Sequence, residues 1–341
     1  MQGINLPKIA LVILNWNGLN DTLECLESVK KIDYSNFEMI VVDNGSTDGS
    51  PAEIRKQFPN VIVLETGKNL GFAEGNNVGI RHAIANGADY LFLLNNDTVV
   101  DSQALNAFLK VSHLYPAAGV FGAKIYYYSE PDRIWFAGGQ WNRETLEFIH
   151  VGEKKIDNAA DYETICESDY ACGCAMFVKR AVIEKIGLLE PQFFLTFEET
   201  DWSFRAVRAG FQCFFVPKAK VWHKISASFG GETSPLYSYF ITRNKLLWAR
   251  RHLALSGRLP LHLKLYISLI PSFKISKDLN SNFLRRLYWA LRKYIEEFRL
   301  LLNDTNYRAK LYGIRDYFVG RFGDCPDDVR ALLKRKEQVG A

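Results

Sequence analysis

In the first hundred residues short apolar runs alternate with helical patterns, and each run stops at a polar cluster. Ile9-Ala-Leu-Val-Ile-Leu14 ends at Asn15-Trp-Asn17-Gly18, and Phe37-Glu-Met-Ile-Val-Val42 runs into Asp43-Asn-Gly-Ser-Thr-Asp48-Gly-Ser50. Val61 to Leu64 leads to a glycine-punctuated loop holding Asn69 and Gly71, and Tyr90-Leu-Phe-Leu-Leu stops at Asn95-Asn96-Asp97. Such runs read as strands buried on both faces. Between them Leu23, Leu26, Val29 and Ile32, then Val78, Ile80, Ala83 and Ile84, recur at helical spacing. Strand and helix alternating over short links is the pattern of an α/β fold, a mostly parallel, doubly wound sheet flanked by helices. Polar groups at only one end of the strands argue for a single nucleotide-sized site along that edge.

Composition narrows the class. The 341 residues are 48% hydrophobic, which excludes a largely disordered chain and suffices for one large core or two smaller ones. No charged, apolar leader opens the sequence, so secretion is not expected. The six cysteines read as reduced thiols of a cytoplasmic protein, and Cys172-Gly-Cys174 lacks the spacer and second pair of a zinc site. The first turn is not Gly-x-Gly-x-x-Gly, and no Gly-Lys-Ser/Thr loop exists, which disfavours dinucleotide and P-loop sites.

Two clusters carry chemistry. An Asn-x-Asp just past a strand, Asn95 to Asp97, can hold a hard divalent cation that grips a diphosphate. It reads equally as an Asx-turn opening a helix near Ser102. Farther on, Glu198, Glu199 and Asp201 open a helix whose Phe204, Val207 and Phe211 can face the core. Acids there complement the helix dipole. Three crowded together repel, which raises the pKa of at least one and suits a proton acceptor.

These blocks, with Asn69-Leu-Gly-Phe-Ala-Glu-Gly-Asn76 among them, resemble those of family 2 glycosyltransferases, most closely the bacterial rhamnosyltransferase-like branch. The resemblance implies a GT-A fold, an inverting sugar transfer and a nucleoside-diphosphate sugar donor. It sets Asp43 near the base, Asn69, Gly71 and Asn76 near ribose and phosphates, and Asp97, with Asn95, on Mg²⁺ or Mn²⁺; Asn15, Asn17 and Asn96 are counted with the donor-binding residues. Many relatives read Asp-x-Asp where this chain reads Asn95-Asn96-Asp97. Carried over by position, Glu199 is the base that takes the acceptor proton, with Asp201 as the alternative and Glu198 beside them. His223 falls where the family places a histidine able to complete the metal shell or contact the diphosphate; a satisfied structural histidine is the other reading. Arg243-Asn244 matches a family pair, read as a phosphate contact or as helix surface. Ser226 to Gly231 suits a loop closing over donor phosphates.

The C-terminal region differs. Residues 243–341 carry 21 Lys and Arg against 9 Asp and Glu, and residues 1–242 carry 21 against 29. Leu253 to Ile275 is broken by Arg258, Pro260, Lys264 and Pro271, a poor membrane span. Phe283 to Leu302 interleaves aromatic and aliphatic residues with Arg and Lys, suiting a headgroup layer or, alternatively, a packed helical subdomain or homodimer interface. Nucleic acid is not expected, because no base-reading motif is present. The sequence thus predicts a catalytic domain over 1–240 and a basic helical region over 241–341. The expected protein is cytoplasmic, peripheral to the inner face of the cell membrane, and moves a sugar such as rhamnose from dTDP-rhamnose to a cell-surface polysaccharide or lipid-linked glycan. A catalytically silent nucleotide-sugar-fold scaffold is the alternative.

Overall fold

The computed structural model describes residues 6–145, 147–158, 161–225, 234–271 and 283–339. They fall in two compact units, Met1–Ser226 and Ala227–Ala341.

In the first unit β1 (Ile9–Asn15), β2 (Phe37–Asp43), β3 (Ile62–Glu65) and β4 (Tyr90–Asn95) lie parallel in the order β3-β2-β1-β4, crossed by α1 (Leu19–Val29), α2 (Ser50–Gln57) and α3 (Gly71–Ala85). Then come β5 (Thr98–Val100), α4 (Ala104–Leu114), β6 (Ala118–Tyr127), β7 (Glu130–Phe136), β8 (Gly139–Asn142), β9 (Glu147–His150) and β10 (Cys166–Glu167). The unit closes with β11 (Ala175–Lys179), α5 (Arg180–Ile186), α6 (Glu198–Arg208) and β12 (Gln212–His223). The sheet continues from β4 through β11, β6 and β12 to β10; β11 runs antiparallel to both neighbours and β12 parallel to β6. Strand residues alternate between two cores. Leu11, Ile13, Val41 and Phe92 pack with α1 and α4 residues such as Leu26 and Phe108, while Val12, Ile40, Val42 and Leu93 pack with Ile80, Val182 and Trp202. That alternation is why the runs are apolar throughout rather than every second residue. Strand order reverses at β1, because β2 lies on one side and β4 on the other, so the crevice that binds ligands in such sheets opens at their carboxyl ends.

One expectation is corrected. The residues after Asp97 do not turn directly into a helix: Thr98–Val100 pairs antiparallel with Val221, Trp222 and His223. β12 runs through Pro217 to His223, with a register shift between Val216 and Lys220. A bulge tolerates proline because the ladder already lacks a hydrogen bond there.

The second unit contains α7 (Pro235–His252), α8 (Leu255–Ser268), α9 (Phe283–Asn303), α10 (Thr305–Phe318) and α11 (Asp327–Val339). Ser234 and Asp304 cap α7 and α10 by accepting from Tyr237 N and Tyr307 N. Gly313 lets α10 approach α7 closely, since a Cβ there would lie 2.8 Å from the Tyr239 carbonyl oxygen. Among the described residues no helix is long and apolar enough to cross a membrane.

Candidate active site

The parallel register aligns the strand ends: Asn15 pairs with Asp43, and Leu14 with Asn95. Asn15 knits the β1 turn to β2. Its Nδ2 donates to Asp43 Oδ1 (2.8 Å) and Ser46 Oγ (3.1 Å), and its Oδ1 accepts from Thr22 Oγ1 (2.8 Å). Asp43 is buried, with Oδ2 accepting from Ser46 N (3.0 Å), so its carboxylate is held rigidly at the edge. Asn17 adopts φ 51° and accepts from Thr47 N (2.7 Å).

The loop around Asn69 is held by a residue that sequence reasoning passed over. Asn44 Nδ2 donates to Asn69 Oδ1 and the Gly71 carbonyl (both 3.1 Å), and its Oδ1 accepts from Leu70 N (2.9 Å). Its only sequence signal was a place in a turn already rich in Asx residues. Gly71 has φ 78°, and a Cβ there would meet the Phe194 ring at 2.5 Å. Phe72 N donates to the Phe194 carbonyl (2.6 Å), so the start of α3 is capped by the segment that leads into the acids. Asn76 is buried inside α3, its Nδ2 bonded to the Phe72 carbonyl (2.9 Å).

Asp97 and His223 come together. β5 pairs Thr98 with His223, and His223 Nε2 lies 3.1 Å from Asp97 Oδ1, both residues buried. Lys224 N donates to the Asp97 carbonyl (2.9 Å), while its ammonium bridges Asp21 (2.5 Å) and Glu24 (2.6 Å) on α1. Trp135, which no local pattern marked, stands against the imidazole with ring centroids 4.8 Å apart. Two ligands at adjacent corners of an octahedron with bonds of about 2.1 Å stand about 3 Å apart, so the carboxylate–imidazole pair fits a divalent cation. His223 Nδ1 is buried and has no hydrogen-bond partner among the described residues. Among those residues no group of three or more His, Cys, Asp or Glu converges. Asn95 ends β4, its carbonyl accepting from Thr98 Oγ1 (2.7 Å). Asn96 turns the other way, its Nδ2 donating to Thr22 Oγ1 (3.0 Å) and the Gly18 carbonyl (3.4 Å).

The acids divide. Asp201 is fully buried and bonded to Arg205 Nε (2.8 Å), whose guanidinium also holds the Ile186 and Leu188 carbonyls. That carboxylate anchors α6. Glu198 and Glu199 follow a backbone held at positive φ at Phe194, Thr196 and Phe197, the kind of strain that gathers at functional sites. Burial, and then the neighbouring Glu199 charge, push the Glu198 carboxyl well above the usual range. Burial pushes Glu199 up to about 7, against backbone N–H groups at the helix start that favour its charged form. Glu198 Oε2, Glu199 Oε2 and Tyr170 Oη are buried without hydrogen-bond partners among the described residues, and burial also pushes the Tyr170 phenol up. Glu199 rests on Gly173, where a Cβ would lie 3.3 Å from its own Cβ. The next residue, Cys174, accepts from Asn95 N at its carbonyl (2.9 Å). Burial chiefly, then Cys172, Asp97 and Glu199, push the Cys174 thiol up, which sets it among the two carboxylate sites.

The helix-surface reading of Arg243 is corrected. The residue is fully buried within the helical unit, bonded to Asn244 Oδ1 (3.0 Å), the Tyr239 hydroxyl (3.3 Å) and the Gly323 carbonyl (2.7 Å). Its burial, with the Tyr239 and Phe240 rings at 5.1 Å and 5.0 Å, makes it an interior cation rather than a helix-surface one. The loop at Ser226 to Gly231 lies outside the described residues.

Comparison with known proteins gives a consistent set. The sequence profile of Glycosyl transferase family 2 matches residues 10–187. An N-acetylglucosaminyl-diphospho-decaprenol L-rhamnosyltransferase of Mycobacterium tuberculosis is 26% identical over 236 residues, 63% of this chain and 75% of that protein. The dTDP-rhamnosyl transferase RfbF of Shigella flexneri is 23% identical over 258 residues, 72% and 80% of the two chains. Among solved structures, the mannosyltransferase PcManGT of Pyrobaculum calidifontis with GDP-Man and Mn²⁺ aligns with TM-score 0.54 at 14% identity, covering 92% of this chain and 87% of that one. S. aureus TarS 1-349 with UDP-GlcNAc aligns with TM-score 0.53 at 15% identity, covering 92% of both. The fold is therefore GT-A.

Proposed function

The chain belongs to glycosyltransferase family 2, and on that premise we propose that it moves rhamnose from a thymidine-diphosphate donor to a hydroxyl of a lipid-linked glycan, with inversion at the anomeric carbon. The donor and acceptor follow the names of the two relatives. The first compact unit is the catalytic one. The observation that carries the chemistry is the group of buried oxygens without partners at Glu198, Glu199 and Tyr170. Leaving such an atom unbonded costs about 1–3 kcal/mol, a cost consistent with a substrate hydroxyl as the missing partner.

Inversion needs a base on the side of the anomeric carbon opposite the leaving diphosphate. Glu199, at about 7, is charged enough near neutrality to take the acceptor proton and basic enough to hold it. Glu198, whose carboxyl burial and the Glu199 charge push up, can donate a hydrogen bond to the same substrate when protonated. Asp97 and His223 would hold a divalent cation, whose contribution when bound is to offset charge on the diphosphate. Asp43 and the Asn44-braced loop at Asn69 receive the nucleoside side of the donor. The silent-scaffold reading is weaker, because binding alone has no use for two crowded acids at a strained helix start, each with a buried oxygen that finds no partner among the described residues.

The test is turnover with dTDP-rhamnose, UDP-galactose and UDP-N-acetylglucosamine, offered an N-acetylglucosaminyl diphosphate polyprenol as acceptor, with the product anomer assigned by NMR. Transfer from dTDP-rhamnose with inverted configuration is expected. A retained configuration, or transfer from the other donors alone, overturns the proposal.

A further inference from the structure

We propose that the exposed faces of α8 and α9 form a docking surface for a membrane rich in anionic lipid; the proposal extends the reading of the acceptor as lipid-linked. On α8, Leu255, Leu259, Leu263 and Ile267 recur every fourth residue and stand 60% to 68% exposed. The helix carries Arg258 and Lys264 and no acidic residue. On α9, Tyr288, Leu291, Ile295, Phe298 and Leu302 recur at intervals of three and four, which sets them on one stripe, and each is 38% to 59% exposed. Soluble monomers rarely leave so much apolar surface open, so these faces call for a cover.

The charge pattern decides what covers them. A three–four stripe is also the seam of a two-stranded coil, where the positions flanking the seam pair opposite charges between copies. Here one flank is Arg285, Arg292 and Arg299, and the other is Leu287, Tyr294 and Leu301. A parallel pair of copies sets arginine against leucine and tyrosine; an antiparallel pair sets arginine against arginine. Neither makes an ion pair. Glu296 and Glu297 lie round the helix from the stripe and face Arg292 (3.2 Å) and Lys293 (3.8 Å) of their own helix. Lipid headgroups supply what a second copy lacks, anions level with the rim of an apolar layer. Arginine stems lying along that rim can reach them. The excess of 21 cations over 9 anions in residues 243–341 has the same sign.

Sedimentation of the full chain with vesicles tests this, using phosphatidylcholine alone and phosphatidylcholine mixed equally with phosphatidylglycerol. Binding to the mixed vesicles, released by high salt, is expected. Arg285→Gln with Arg299→Gln should weaken it about thirtyfold, at about 1 kcal/mol per cation. Leu259→Glu with Leu263→Glu should abolish it, both variants keeping the wild-type thermal melt and donor hydrolysis. Failure to bind the mixed vesicles, or equal binding by the arginine variant, overturns the docking surface. So does a wild-type dimer that Leu291→Glu converts to monomer, which assigns the stripe to a second copy. Donor hydrolysis without vesicle binding overturns only the docking, and vesicle binding without hydrolysis only the transferase reading.

Discussion

At the residue scale, Glu199 and Asp201 lie two positions apart and do different work. Glu199→Gln should lower turnover by about 10²–10⁴ while donor affinity stays near wild type, because a general base contributes that much and touches acceptor rather than donor. Wild-type kcat/KM should rise with pH through an inflection near 7, the value to which burial lifts Glu199. The same shift couples to stability. A carboxyl whose folded pKa is raised stabilises the fold fully below its ordinary range near 4.5, and that contribution is lost as pH rises through about 7. Thermal melts should therefore show Glu199→Gln more stable than wild type at pH 8, on the order of 2 kcal/mol, and nearly equal at pH 4. Asp201→Ala should instead cost about 3–5 kcal/mol in urea unfolding, because it leaves Arg205 partly buried and uncompensated. The acid cluster was legible from the sequence. So, in principle, was its division, because Asp201 and Arg205 stand one helical turn apart; what the sequence lacked was the burial of that pair.

At the element scale the parallel half of the sheet followed from its apolar runs and helical spacings, since local pattern and tertiary burial agree there. β5 did not. Three residues are too few to express a period, and Thr98–Val100 is a strand only because β12 runs past Pro217 to meet it. That pairing brings His223 to Asp97, so their juxtaposition has its physical cause in a non-local ladder. Asn44 was missed for a related reason: three hydrogen bonds to residues more than twenty positions away give no local signal. Asn44→Ala should destabilise the protein by about 2–3 kcal/mol in urea unfolding, at roughly 1 kcal/mol per bond, and weaken donor binding by loosening the Asn69 loop. Gly71→Ala should do both more severely, because a Cβ at φ 78° meets Phe194 at 2.5 Å.

At the scale of the whole molecule, the first unit gathers Asn15, Asp43 and Asn95 at the ends of β1, β2 and β4, and Asp97 and His223 at the β5–β12 ladder. Glu199 arrives at the start of α6, braced against Gly173 and preceded by the segment that caps α3. The site is thus an edge assembled from distant parts of the chain, and the sequence revealed its members better than their contacts. Arg243 is the clearest instance, since nothing near it in the chain announces that Tyr239, Phe240 and Gly323 enclose it. The measurement that bears most directly on the account is calorimetric titration of dTDP-rhamnose into the protein with and without Mn²⁺, for wild type, Asp97→Ala and Glu199→Gln, with donor hydrolysis followed alongside. The account predicts Mn²⁺-dependent binding by wild type and Glu199→Gln, at least a tenfold loss in Asp97→Ala, and hydrolysis lost in Glu199→Gln alone among the two that bind. Binding indifferent to Mn²⁺ and to Asp97, or hydrolysis undiminished in Glu199→Gln, would contradict it.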